Sequence, residues 1–230
     1  MNFFGFAWGL VPTFVRATRM TLMITGGSIA LGFVVGVVLA LGRVYGFRPV
    51  RWLAAAYIEF FRGTPLLVQI LVVYYGLPPF LSPLGIRISA IGAAIIGLGL
   101  NSAAYQAEYF RGAVQSIQSG QMMAARALGL SRFRAIRNVI LPQALRLVIP
   151  SWSNELIYSI KYSSLAYFIG GIRELTFEAK DLASDTARTF EVYVVVALFY
   201  LVIVLVVSWF LHRLETRVRI PGLGAPAEHR

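Results

Sequence analysis

The stretch MTLMITGGSIALGFVVGVVLAL, residues 20–41, carries no charged side chain along its whole length. As a helix rising 1.5 Å per residue it covers about 33 Å, enough to cross a hydrocarbon core of about 30 Å. Gly26, Gly27, Gly32 and Gly36 would let a second helix approach its backbone closely. Arg43 closes the run. Such a segment predicts a membrane span.

Reading outward, four more segments have the same character. Residues 64–81 are apolar and end in the turn-like stretch 78–83. Residues 88–107 are dense in Gly and Ala and stop before Glu108. Residues 147–171 are long enough to span but contain Glu155 and Lys161, and 192–211 is the most uniformly apolar of the five. The expected fold is therefore an all-α integral membrane protein with about five transmembrane helices. Residues 3–15 are apolar but too short to span. With no positive n-region and no Ala-x-Ala site, residues 1–19 read as an amphipathic lead-in with Arg16 and Arg19 on its polar side. A transmembrane domain of 20–212 and a cytoplasmic tail of 213–230 complete the expected division, with 221–230 loose from its Gly, Pro and Ala content.

Composition supports this. The 230 residues are 58% hydrophobic and 13% charged, with a mean hydropathy of +0.71. That is too little charge to coat a water-facing surface. The net charge of +11 would suggest nucleic acid in a soluble protein. Here the basic residues fall between the apolar runs, with no basic face clear of them, so nucleic acid is excluded as a partner. They fall unequally: arginines 43, 48, 51, 62, 111, 126, 132, 134, 137, 146, 213, 217, 219 and 230 share one side, and the other side holds six basic residues. The richer side is expected to be cytoplasmic, with the N-terminus outside and the C-terminus inside. The outer segment 172–191 carries five acidic residues and reads as a solvated loop.

Without cysteine, no disulfide, thiolate metal site or Cys nucleophile is possible, and His212 and His229 lack metal partners at ligand spacing. The spans hold no Gly-x-Ser-x-Gly, so a membrane-embedded enzyme finds no support.

Residues 108–143 are too long for a turn and too regular for a linker. Gly120 precedes a run of helix formers, 121–128, and Gly129 stands where a helix C-cap would. Ser131 is placed to cap a second helix, which Pro142 is expected to halt. The first helix would offer Met122, Met123, Ala124, Ala125 and Leu128 as an apolar face to another protein.

Ala124-Ala125-Arg126-Ala127-Leu128-Gly129, followed by Val139, Leu141 and Pro142, resembles the cytoplasmic signature loop of ABC importer permeases. Glu59-Phe60-Phe61-Arg62-Gly63-Thr64-Pro65, Glu108-Tyr109-Phe110-Arg111-Gly112 and Leu141-Pro142-Gln143-Ala144 are similar to the polar amino-acid uptake branch of that family. Two positions depart from its pattern: Met123 replaces the signature Glu, and Tyr162 the usual Asp or Asn.

The resemblance implies a type I importer fold and a permease of the bacterial inner membrane carrying a polar or charged amino acid. It further implies a cytoplasmic ATPase dimer contacting Gln121, Met122, Met123, Ala124, Ala125, Leu128 and Gly129. A second permease subunit (the same chain or a paralogue) and an external solute-binding protein would complete the machine. The chain lacks a Gly-x4-Gly-Lys-[Ser/Thr] phosphate loop, so ATP would be bound by the partner, and no cofactor is expected here.

Glu155 and Lys161 should avoid lipid. At 100° per residue Asn154, Tyr158 and Lys161 share one face, and Glu155, Ser159 and Tyr162 the next. Candidate solute contacts are Glu155, Asn154, Tyr158, Lys161, Gln69 and Tyr105, with Tyr74, Tyr75, Asn101 and Gln106 as further polar groups. For each, a structural role in the bundle remains the alternative. An ion-coupled secondary transporter using Glu155 as a proton carrier is the competing function, as is an importer of the same architecture for an opine or other small cationic metabolite. Thr64 reads as the cap of the second span and Pro65 as part of its first turn.

Overall fold

A computed structural model describes residues 3–117 and 119–218, and their regular structure is entirely helical. The chain starts with α1, Phe3–Tyr45. The short α2, Arg48–Gly63, leads to α3, Leu66–Leu71, which continues through a π turn at Val72–Gly76 into α4, Pro78–Leu81. Next come α5, Ala90–Ser116, α6, Ser119–Ala127, and α7, Arg132–Ala135. The rest is α8, Leu141–Tyr162, extended by a 3-10 segment at Ser163–Ile169, then α9, Leu175–Thr186, and α10, Thr189–Val218.

Among the described residues four stretches are long and apolar enough to cross a membrane: Phe3–Tyr45, Leu66–Leu84, Ala90–Ser116 and Thr189–Val218. The expected fourth span, 147–171, coincides with α8 and its extension but falls short on apolarity. Its helix holds Arg146, Glu155, Lys161 and a series of Ser, Asn and Tyr residues.

The backbone shows no break at 19/20, where the lead-in was expected to end. A single helix of 43 residues, about 64 Å long, is twice the thickness of a bilayer core. Its first half is not a free interfacial helix. Phe6, Leu10, Phe14 and Ala17 recur at helical spacing and pack against Leu175, Ala179 and Ala183 of α9 and Val192, Val195 and Val196 of α10. A second cluster joins Ile24, Ile70, Val73, Leu98 and Ile169. A third joins Ala40, Phe110, Val114, Ile140 and Val148 at the opposite end from α9.

Among the described helices α1 packs most extensively against α5. A Cβ on Gly36 would lie 3.1 Å from the Ala103 carbonyl oxygen and 3.2 Å from the Ala107 nitrogen, so a side chain there would push the two backbones apart by a few tenths of an ångström. Gly26, also expected to serve close packing, faces open space.

Two local expectations are corrected. Pro142 does not halt the second helix. The chain widens into a π turn at Ile136–Ile140, whose last bond runs from the Leu141 N–H to the Ile136 carbonyl, and α8 carries on with Pro142 in its first turn. The backbone stays helical through Ile140 and Leu141, so Pro142 lies inside a continuous run, and the wider π turn before it accommodates the missing N–H and the bulk of the ring. Thr64 does not cap the second span either: it ends α2, donating its hydroxyl to the Phe60 carbonyl at 2.8 Å, while Pro65 takes the N-cap position of α3.

Nor is 172–191 a solvated loop. It folds into α9, and Glu174 caps that helix, accepting from the backbone N–H groups of Phe177 at 2.7 Å and Thr176 at 2.8 Å. Burial pushes the Glu174 carboxyl up to about 7, against the hydrogen bonds that favour its ionised form. The expected loose tail, 221–230, lies outside the described residues.

Candidate functional site

Two surfaces gather the candidate residues. The first is α6 and the turn after it. Gly129 has φ +82°, its N–H donates to the Arg126 carbonyl at 3.0 Å, and the Leu130 N–H reaches back to Ala125 at 3.1 Å. This is a Schellman end, which glycine takes without a Cβ penalty. Ser131 accepts from the Arg134 N–H at 3.3 Å and starts α7, as its position in the sequence predicts.

The helix is divided between two environments. Ala125 is buried, and Met122 packs on the third core cluster beside Val139 and Leu145. Gln121, Met123, Ala124 and Leu128 face away from the chain. Met123 is 66% exposed and Leu128 84%, with Phe133 of α7 exposed nearby in sequence. Exposed apolar side chains on a short, capped helix form an apolar knob on the surface, not a core element.

The second surface is α8. Asn154, Tyr158 and Lys161 share an exposed face, as expected, and Tyr162 joins them because its ring stacks on Tyr158 with centroids 6.2 Å apart. The Lys161 ammonium lies 4.4 Å from the centroid of the Tyr158 ring, held by the negative face of the π system.

Glu155 points the other way and is buried. One carboxylate oxygen accepts from the Ser102 hydroxyl at 2.7 Å, and the other lies 3.5 Å from the Tyr109 hydroxyl. The chain of contacts continues along α5. The Gln106 amide donates to Ser102 at 3.0 Å and to the Ile29 carbonyl of α1 at 3.4 Å, and the Trp152 indole donates to Gln106 at 3.0 Å. One polar network thus ties α1, α5 and α8.

Ser102, Tyr109 and Trp152 were not among the sequence candidates. Their types are unremarkable, and only the 53 positions between Ser102 and Glu155 closing in space give them a role. Ser153, beside them on α8, is buried with no hydrogen-bond partner for its hydroxyl.

Gln69 belongs to another network. Its amide donates to Phe61, Thr64 and the Thr64 hydroxyl at 2.7 to 3.1 Å and accepts from Asn101 at 2.9 Å. Every polar atom of its side chain is engaged in holding the α2–α3 junction to α5, which leaves it a structural role. Tyr105 is half-buried under the Arg62 guanidinium, 5.5 Å from the ring centroid. The structure therefore brings Asn154, Tyr158 and Lys161 together, sets Glu155 behind them, and gives Gln69 and Tyr105 other partners. Among the described residues no group of His, Cys, Asp and Glu is arranged to hold a metal ion.

Residues 32–220 match the family model described as binding-protein-dependent transport system inner membrane component. The glutamine transport system permease protein GlnP of Escherichia coli (strain K12) is 41% identical over 213 residues, which is 93% of this chain and 96% of that protein. The L-cystine transport system permease protein TcyL of Bacillus subtilis (strain 168) is 37% identical over 95% of this chain and 91% of its own length. Among solved structures, an amino acid ABC transporter crystallised with histidines superposes with a TM-score of 0.82 at 37% identity, covering 94% of this chain and 99% of that one. The MetNI methionine transporter, in an inward-facing form, shares the fold at a TM-score of 0.75 and 24% identity.

Proposed function

We propose a solute-import role from one premise: the chain belongs to the family of binding-protein-dependent transport system inner membrane components. It is a permease component of an amino-acid ABC importer, a transport component and not an enzyme. In our reading the solute is a polar or charged amino acid delivered by an external binding protein. A separate cytoplasmic ATPase dimer would bind ATP, and a second permease subunit, a copy or a paralogue, would complete the path.

The observation that carries this reading is the α6 knob. Its apolar side chains, Met123 and Leu128, stand exposed on a helix fixed at its C-terminal end by the Gly129 turn, while Met122 packs on the third core cluster and Ala125 is buried. A push on that helix is transmitted to α5 and α8, whose side chains share the same cluster. Gln121, Met123, Ala124, Leu128 and Gly129 are our ATPase contacts. Met122 and Ala125 act from behind.

For the solute path we assign the exposed α8 face of Asn154, Tyr158 and Lys161. Amide and ammonium groups are costly against lipid, so this face meets water or another chain. Glu155 holds that face at its angle through Ser102, and its second oxygen, loosely held at 3.5 Å, is free to turn to a cationic group.

Gentle purification of the tagged chain from native membranes, followed by reconstitution into proteoliposomes, tests the reading. A stoichiometric ATPase and ATP-driven amino-acid uptake are expected, with Glu155→Gln changing the affinity or rate of uptake. A chain that emerges alone and moves solute on an ion gradient would instead establish the secondary transporter.

A further inference from the structure

We propose that the cleft between the first half of α1 and α9 binds the paired ammonium and carboxylate of a free amino acid, at a subsite separate from the α8 face. The cleft encloses about 810 Å³. Arg16 and Arg19, three positions apart on α1, stand on one wall with Thr13. Glu178, Asp181 and Asp185, at helical spacing on α9, stand on the other. Each wall carries one sign of charge.

Part of this charge is already satisfied. Arg173, at one end of the cleft, donates from Nε to Glu178 Oε1 at 2.6 Å and places Nη2 3.7 Å from Asp181. Glu178 is thereby compensated, and Asp181 only in part. Arg16 uses its Nε on the Pro12 carbonyl at 3.3 Å and leaves the rest of its guanidinium open to the cleft. Among the described residues neither Arg19 nor Asp185 takes part in an ion pair. The two walls face each other without closing.

A lone anion in this space gains from α1 and is repelled by α9, and a lone cation meets the reverse. A molecule whose ammonium and carboxylate are attached to the same carbon presents a charge to each wall, which is the chemistry of an α-amino acid. The exposed charges are screened by water, so the affinity is weak, on the order of millimolar. The volume exceeds that of one small amino acid, which makes recognition a matter of the charged end and not of the side chain. Binding here rests on the cleft alone, and its meaning as a first station for the solute rests on the import reading.

The absence of cysteine provides a clean reporter. Thr13→Cys, in the full chain with whatever subunits accompany it into nanodiscs, is alkylated with a maleimide in the presence of L-alanine, propionate or ethylamine. L-alanine at about ten times its dissociation constant is expected to slow labelling ~10-fold. Propionate and ethylamine at the same concentration should not, and adding Arg19→Gln or Asp185→Asn should abolish the protection. No protection, equal protection by propionate, or a Thr13→Cys that is unreactive before any solute is added would overturn the proposal. The last result would mean that a partner chain fills the cleft. Uptake by the wild-type preparation is measured separately, so the import reading and the cleft stand or fall independently.

Discussion

Glu174 and Glu155 are both buried carboxylates, yet the sequence drew notice only to Glu155. An acid inside an apolar run stands out, whereas Glu174 lies in a charged segment and looks like surface. In the structure Glu174 has no exposed surface and accepts from two backbone N–H groups and from the Tyr200 hydroxyl at 3.1 Å. Its folded pKa, about 7, lies above the ordinary 4.5 of an unfolded chain. The folded state therefore holds its proton more tightly between those values, and stability contributed by this group is present below pH 4.5 and lost as pH rises through about 7. The loss amounts to about 3 kcal/mol if the whole shift is realised. Thermal unfolding in nanodiscs should show a lower midpoint at pH 8 than at pH 5, and Glu174→Gln should flatten that difference. A wild type at least as stable at pH 8 would contradict this assignment.

At the scale of elements, α6 was legible because caps are local. Gly129 and Ser131 announce a helix end and a helix start within three residues, and both take those positions. Pro142 misled for a related reason: a proline ends a regular α-helix, but the wider π turn before it lets the chain continue. The Gly129 turn yields a graded prediction. An L-residue with φ near +80° costs roughly 1–2 kcal/mol, least for Asn and most for a β-branched side chain. Uptake per ATP hydrolysed should fall in the order Gly129→Asn, Gly129→Ala, Gly129→Val, with the bundle still assembled. Equal coupling in wild type and Gly129→Val would remove α6 as the point of transmission.

For the whole molecule, the arrangement turns on α8, since among the described residues four other stretches have the apolarity to cross a membrane by themselves. Its polar residues do not forbid crossing. Glu155 and Ser159 turn inward, and Asn154, Tyr158 and Lys161 gather on one face that a partner or water can cover. If α8 crosses, α6 and α9 lie on opposite sides. In intact cells an impermeant maleimide should then label Ser184→Cys on α9 and leave Gln121→Cys on α6 unlabelled until the membrane is permeabilised. Labelling of both from outside, or of neither, would mean that α8 does not cross.

The sequence by itself determined the solvent, the helical class, the caps around α6 and the shared face of Asn154, Tyr158 and Lys161 on α8, though not the side on which Tyr162 lies. These follow from apolar length, the 100° step between residues and bonds closed within a few positions. Only the tertiary structure decided which faces meet. It joined Glu155 to Ser102 and Gln69 to Asn101, laid the first half of α1 on α9, and turned an apparent loop into the wall of a charged cleft. The helical step fixes direction around one axis but says nothing of the axis beside it. That neighbour is chosen by the fit of distant surfaces, as at Gly36 against Ala103, and such fit is a property of the packed chain.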